Sequence, residues 1–248
     1  GSGLKLEPRL LALAQSSHSG SQIHQDGVLE ILAGVGLQES DLQCAFDKPL
    51  GEAERATWGE KPATRLAMNC SGKHAGMLST CVVNGWDIKS YLNPEHPLQI
   101  AILNEIQALA NTKVANKTFD GCGAPLFAMT TRELATAIRA ITISEEPVHI
   151  EVMGAARAFP EMVAGVNRLT TRTMRSVPGL FMKEGAEAVE VVSLSDGRTL
   201  VFKISDGSWR AFGAIMHAAL LEWGITTTEE VFNVYGGANI VGRMQAVI

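Results

Sequence analysis

The sequence predicts an α/β (α+β) chain in which an antiparallel sheet is flanked by helices. Three observations carry that reading. Apolar residues recur at helical spacing through much of the first two thirds of the chain. Two β-rich runs, Ala188–Leu194 and Leu200–Ile204, then flank Ser195-Asp196-Gly197-Arg198, where Asp-Gly is a strong hairpin dipeptide. An apolar segment follows from Arg210 to Trp223, stopped by Gly224, which reads as a buried helix able to cover one sheet face. Helices followed by a hairpin, without regular strand–helix alternation, argue for an antiparallel sheet rather than a doubly wound one.

Taken in order, Glu7–Gln15 carries leucines and alanines at helical spacing and ends at Ser16-Ser17-His18-Ser19-Gly20, a turn cluster. Ile23–Val35 gives a second amphipathic helix closed by Gly36, and Glu39–Phe46 a short third element. Pro49–Pro62 reads as polar and irregular. Asn69-Cys70-Ser71-Gly72-Lys73-His74 leads from a loop into an apolar helix that runs to about Val83 and stops near Asn84-Gly85. His96-Pro97-Leu98 opens another helix, through about Ala110. Thr118–Pro125 is a Gly-rich loop, Thr131 N-caps a helix over Glu133–Ala140, and small residues dominate Gly154–Gly165. Lys183 reads as a lysine at the start of a strand, and Val231–Ile248 carries β-rich stretches around Gly236-Gly237.

Composition narrows the function classes. With 46% apolar and 19% charged residues, the chain is an ordinary globular protein rather than a disordered one. A formal charge of −5, with Lys and Arg scattered among acids, offers no basic stripe for nucleic acid or anionic membrane. No apolar run reaches the roughly 18 residues of a membrane span. The four cysteines, Cys44, Cys70, Cys81 and Cys122, are too sparse for a small secreted disulfide framework, so reduced thiols and a cytoplasmic location are expected. No G-x-G-x-x-G or Walker motif is present, which lowers nucleotide enzymes.

Two stretches set a thiol among glycines: Cys70-Ser71-Gly72-Lys73-His74 and Asp120-Gly121-Cys122-Gly123. Spacing leaves their meaning open between buried thiols, a disulfide, a Cys nucleophile and a zinc site, which needs thiolates with nitrogen or oxygen co-ligands. Ser17 beside His18 invites a Ser-His reading, but neighbouring turn residues rarely meet in the required geometry. Lys183-Glu184-Gly185 is a weak match to the K-T-G box of serine β-lactamases, whose lysine faces a serine.

Taken together, Ser16–Gly20, Asn69–Met77, His96-Pro97-Leu98-Gln99, Asp120–Pro125 and Lys183–Glu187 resemble, in order and spacing, the second L-asparaginase family, known from rhizobial inducible asparaginases. The similarity runs from about Leu4 to Asn239-Ile240-Val241-Gly242. It implies one asparaginase-like domain over residues 1–248 with a serine β-lactamase/glutaminase-like fold, and a homodimer. It also implies zinc held by Cys70, Lys73 and Cys122, with Asp120 and His74 toward substrate, and Ser17 with Lys183 as a Ser-Lys pair. Cys70 and Lys73, three apart at the start of a helix, point the same way. The family's nucleophilic Ser-x-x-Lys motif precedes the Ser17 segment, and Ser2-Gly3-Leu4-Lys5 lies too close to Ser17 to be its counterpart, so an absent N-terminal part is expected.

The expected activity is hydrolysis of L-asparagine to L-aspartate and ammonia through a serine acyl-enzyme. The alternatives are a zinc-containing, catalytically incomplete binding or structural module of the same fold, and an amidase using the Cys122 thiol.

Overall fold

A computed structural model describes residues 5–227 and 232–247. The helical layer opens with α1 (Pro8–Ala14), started by a proline at its first position, and α2 (Gln22–Ala33), capped by Ser21 and His24. A short 3₁₀ turn at Glu39–Asp41 is all the regular structure within Glu39–Phe46. The stretch expected to be irregular holds α3 (Glu52–Trp58), whose first turn carries Glu52 and Glu54. Acidic side chains there complement the positive end of the helix dipole, and that signal outweighs the polar composition. Next come α4 (Ser71–Asn84), closed by Gly85 in the left-handed conformation, and α5 (Pro97–Ala110), capped by the ring of His96.

The Gly-rich loop is the turn of a small hairpin rather than loop throughout. β1 (Lys117–Phe119) pairs antiparallel with β2 (Pro125–Phe127), and Asp120 N bonds Ala124 O at 2.8 Å across the turn. The cap of α6 (Thr131–Thr142) is Thr130 rather than Thr131: its hydroxyl accepts from Glu133 N while Glu133 returns a bond to Thr130 N. The small-residue stretch lies on α7 (Pro147–Ala158) and α8 (Pro160–Val163), where small side chains let the helices approach α1. α9 (Leu169–Ser176) leads into the sheet.

The main sheet has the order β3-β4-β5, all antiparallel: β3 (Leu180–Gly185), β4 (Val189–Leu194) and β5 (Thr199–Lys203). Lys183 sits in the middle of β3, opposite Val191, rather than at a strand start. β4 and β5 join through the expected turn, where Gly197 takes φ +91°. α10 (Phe212–Glu222) follows a 3₁₀ turn at Trp209–Ala211. The tail forms a hairpin of β6 (Phe232–Gly236) and β7 (Asn239–Met244) around Gly237. Val231 and Ile248, the ends of that expected segment, lie outside the described residues.

The observed fold is therefore the mixed one expected, small antiparallel sheets flanked by helices. Among the described residues no helix is long and apolar enough to cross a membrane. α1 is the pivot of the helical layer, packed on α2, α4, α7 and α8 with Leu10, Ala12 and Leu13 buried. Leu13, Val28, Ile31, Leu32 and Leu78 are at most 1% exposed. Truncating such a leucine to alanine costs roughly 2–5 kcal/mol, so this contact region holds α1 firmly and fixes where its C-terminal end delivers the chain.

Candidate functional site

The segment leaving α1 is extended and stitched on both sides. Ser17 N donates to Val163 O (3.1 Å) and Ser19 N to Ala164 O (2.7 Å), tying it to the end of α8. His18 N donates to Asn69 O (3.0 Å), tying it to the approach to α4. Gly20, at φ +81°, ends the segment where a Cβ would come within 2.6 Å of Ala67 O, so only glycine fits. Ser17 is thereby held between the helical layer and the sheet.

Lys183 reaches it from β3. Its Nζ donates to Ser17 Oγ at 2.7 Å and also bonds the carbonyl of Glu184. Burial lowers the Lys183 pKa below the ordinary lysine value of 10.5; Glu184, Glu190 and Cys70 pull the other way, and Lys73 adds to the lowering. The Glu184 side chain, buried on β3, is fixed by Arg168 and by the Thr170 hydroxyl. Opposite it in register, Glu190 is fully buried, and neither carboxyl oxygen has a hydrogen-bond partner of normal geometry among the described residues. Burial, and then the Glu184 charge, raise its pKa well above the usual carboxylate value. Glu190 thus favours its protonated form more than an ordinary carboxyl does, while the neighbouring Glu184 carboxyl is paired with Arg168.

The two thiol segments meet. Cys70 Sγ, Cys122 Sγ and a carboxylate oxygen of Asp120 all lie within 4.8 Å of one another, although the cysteines come from the cap of α4 and from the β1–β2 turn. Cys122 Sγ lies 3.2 Å from Asp120 Oδ2, and Lys73 Nζ lies 3.3 Å from the same oxygen. All four cysteines are free thiols. A hydrogen bond from Cys70, with help from His74 and the Lys73 ammonium, lowers the Cys122 pKa; that bond and burial raise the Cys70 pKa. Burial opposes the Lys73 ammonium, but Cys70, Cys122 and Asp120 together raise its pKa. His74 Nδ1 bonds Tyr91 Oη at 2.6 Å, and its buried Nε2 has no hydrogen-bond partner within normal geometry.

Of the residues singled out from sequence, Cys70, Lys73, His74, Asp120 and Cys122 gather in one cluster and Ser17 with Lys183 in a second. Asp120, expected toward substrate, stands among the sulfurs as a donor in its own right. What sequence reasoning passed over is His18. Dismissed there as a turn residue, it is fully buried, bonds Ser71 Oγ at 2.9 Å and Gly20 N at 3.1 Å, and stacks on His24 with ring centroids 4.8 Å apart. It couples the Ser17 segment to the first turn of α4. Nothing in its flanking residues announces this, because its partner lies in another helix.

A pre-formed serine–lysine contact and a compact polar cluster on an α+β frame are features of an enzyme acting on a small molecule. The family model for L-asparaginase II matches residues 2–245, and the chain belongs to that family of amidohydrolases. No curated protein matches it.

Proposed function

We propose that the protein hydrolyses the side-chain amide of L-asparagine, with Ser17 and Lys183 moving the protons of a serine acyl-enzyme reaction. The observation that carries this reading is the 2.7 Å contact between Lys183 Nζ and Ser17 Oγ. Burial of the lysine favours its free amine, which accepts the Ser17 proton. As a serine hydroxyl oxygen bonds to the carboxamide carbon, its proton passes through Ser17 Oγ to the Lys183 amine, and the lysine returns it to the nitrogen as the C–N bond breaks and ammonia leaves. Water then cleaves the acyl-enzyme to give aspartate. The reading extends to one asparaginase-like domain over residues 1–248, which the family match over residues 2–245 supports, and to a cytoplasmic homodimer.

The thiol cluster suits zinc: two sulfurs, a carboxylate and an amine from Lys73 converge, the donor set that a four-coordinate ion accepts. Cys70, Cys122 and Lys73 would hold it, with Asp120 beside them, and binding would displace the Lys73 proton. Bound there, zinc would supply positive charge toward polar groups of a substrate. The protein residues do the rest: Asp120 offers an acceptor, and the buried His74 ring, braced by Tyr91, supports Cys122 from behind.

The test is ammonia release from L-asparagine by the wild-type chain, Ser17→Ala and Lys183→Met. Each substitution is expected to lower kcat about 10²–10⁴-fold, the range for a lost general base. Undiminished turnover in Lys183→Met would sink the assignment of the pair, and failure to turn over any amide would sink the activity.

A further inference from the structure

A cleft away from both clusters lies between α6, the β4–β5 turn and the end of α10. Its volume is about 540 Å³, and Arg132, Thr136, Arg139, Gly197, Arg198 and Trp223 line it, with Asp196 at one side. That size suits a small-molecule ligand. In a chain of net charge −5 the cleft carries three guanidinium groups against one carboxylate.

The three arginines differ in how they are held. Arg198 is locked: it pairs with Asp196 (2.8 Å), donates to the Trp223 carbonyl (2.9 Å), and lies over the Trp223 ring at 5.7 Å. Arg132 and Arg139, two helical turns apart on one face of α6, have no ion-pair or hydrogen-bond partner among the described residues. Gly197, at φ +91°, brings the turn so close that a Cβ would meet Ile143 Cγ2 at 2.7 Å and Arg139 Nε at 3.8 Å. The turn backbone and the arginines thus share one concavity.

We propose that this cleft binds a small multivalent oxyanion of the phosphate class, with Arg132 and Arg139 as its principal ligands and Arg198 as a pre-oriented third. Guanidinium forks match the tetrahedral oxygens of a phosphoryl group in paired hydrogen bonds, and two with no competing carboxylate bind without breaking a salt bridge. One phosphoryl dianion balances the two unpaired cations. Free phosphate and a phosphate monoester share this chemistry; the Trp223 wall favours the monoester of a planar ring.

The experiment is calorimetric titration of the protein at pH 7.5 and constant ionic strength with inorganic phosphate, adenosine monophosphate and, as a monoanion control, acetate. Saturable binding of a phosphate-class anion is expected, with acetate silent. Arg132→Gln and Arg139→Gln should each weaken it about tenfold, the loss of one charge-assisted contact. Both side chains are exposed, so the variants should keep the wild-type Tm, and Lys113→Gln, which does not line the cleft, should bind like wild type. Tighter binding of the nucleotide than of free phosphate assigns the site to monoesters; equal binding assigns it to the ion. No saturable binding of either, or binding that survives Arg132→Gln/Arg139→Gln, overturns the proposal.

Discussion

Two identical substitutions in two helices should move stability in opposite directions, and the reason is visible in the packing. Replacing glycine by alanine inside a helix gains about 1 kcal/mol of intrinsic propensity. Gly154 lies exposed within α7 with nothing within 4 Å of where a Cβ would stand, so Gly154→Ala should show that gain undiluted. Gly72, in the first turn of α4, is buried against α1: a Cβ there would lie 2.4 Å from Leu13 O and 2.9 Å from Leu13 Cγ. The nearer obstacle is backbone, and α1 is held by α2, α7 and α8 besides, so the clash is relieved only by moving α4. A clash this close against backbone belongs to the upper part of the range for overpacking, about 2–3 kcal/mol, leaving Gly72→Ala destabilised by about 1–2 kcal/mol after the propensity gain of about 1 kcal/mol. For a chain of this size each kcal/mol moves Tm by about 2–4 °C. Scanning calorimetry should place Gly154→Ala about 2–4 °C above wild type and Gly72→Ala about 2–8 °C below it. A Gly72→Ala Tm at or above wild type would refute the close α1–α4 approach that positions Cys70 and Lys73.

Further outcomes follow from the two clusters. The rate of asparagine hydrolysis should rise with pH through an apparent pKa below 10.5, because burial favours the free amine of Lys183; a pH-rate profile without that limb would count against a base role. Glu190 binds its proton more tightly folded than unfolded, so its contribution to stability is full below pH 4.5 and is lost as pH rises toward its raised folded value. Glu190→Gln should accordingly raise Tm at pH 8 more than at pH 4.5, and an equal shift at both would contradict the neutral carboxyl. Ser71→Ala leaves the buried Nε2 of His18 unpartnered and should cost about 1–3 kcal/mol by denaturant unfolding, while conservative Ser71→Thr should cost less. Zinc at a free concentration about a hundredfold above its Kd should stabilise chelator-treated protein by about 2.7 kcal/mol, read as a raised Tm, and Cys122→Ser should abolish the effect. An unchanged response in Cys122→Ser would remove the thiols from metal binding.

Much of the helical frame was legible in order along the chain. His96-Pro97 and Asn84-Gly85 mark helix ends by local chemistry, a ring cap with proline behind it and a glycine free to turn left-handed, and the structure places both there. The β4–β5 hairpin was equally legible, since Asp196-Gly197 needs no distant partner to turn. Where the reading failed, a second signal competed locally. Pro49–Pro62 is polar enough to look like a loop, yet acidic residues behind Gly51 start α3. Thr130 and Thr131 are indistinguishable as caps by type, and only the return bond from Glu133 selects Thr130. The β1–β2 ladder spans three residues a side, too short for a period to register.

By itself the sequence determined which residue types were available for chemistry and most of the elements that carry them, because caps, turns and hydrophobic periods act over a few neighbours. It could not determine that Cys70 and Cys122 converge, that Lys183 meets Ser17 across the layer boundary, or that His18 ties both regions through Ser71. Those contacts join residues far apart in the chain, and only the packing of α1 against α4 and α8, with β3 alongside, sets their distances. The lowered pKa of Lys183 and the raised pKa of Glu190 arise at the same level, since burial is a property of the folded interior and not of any segment.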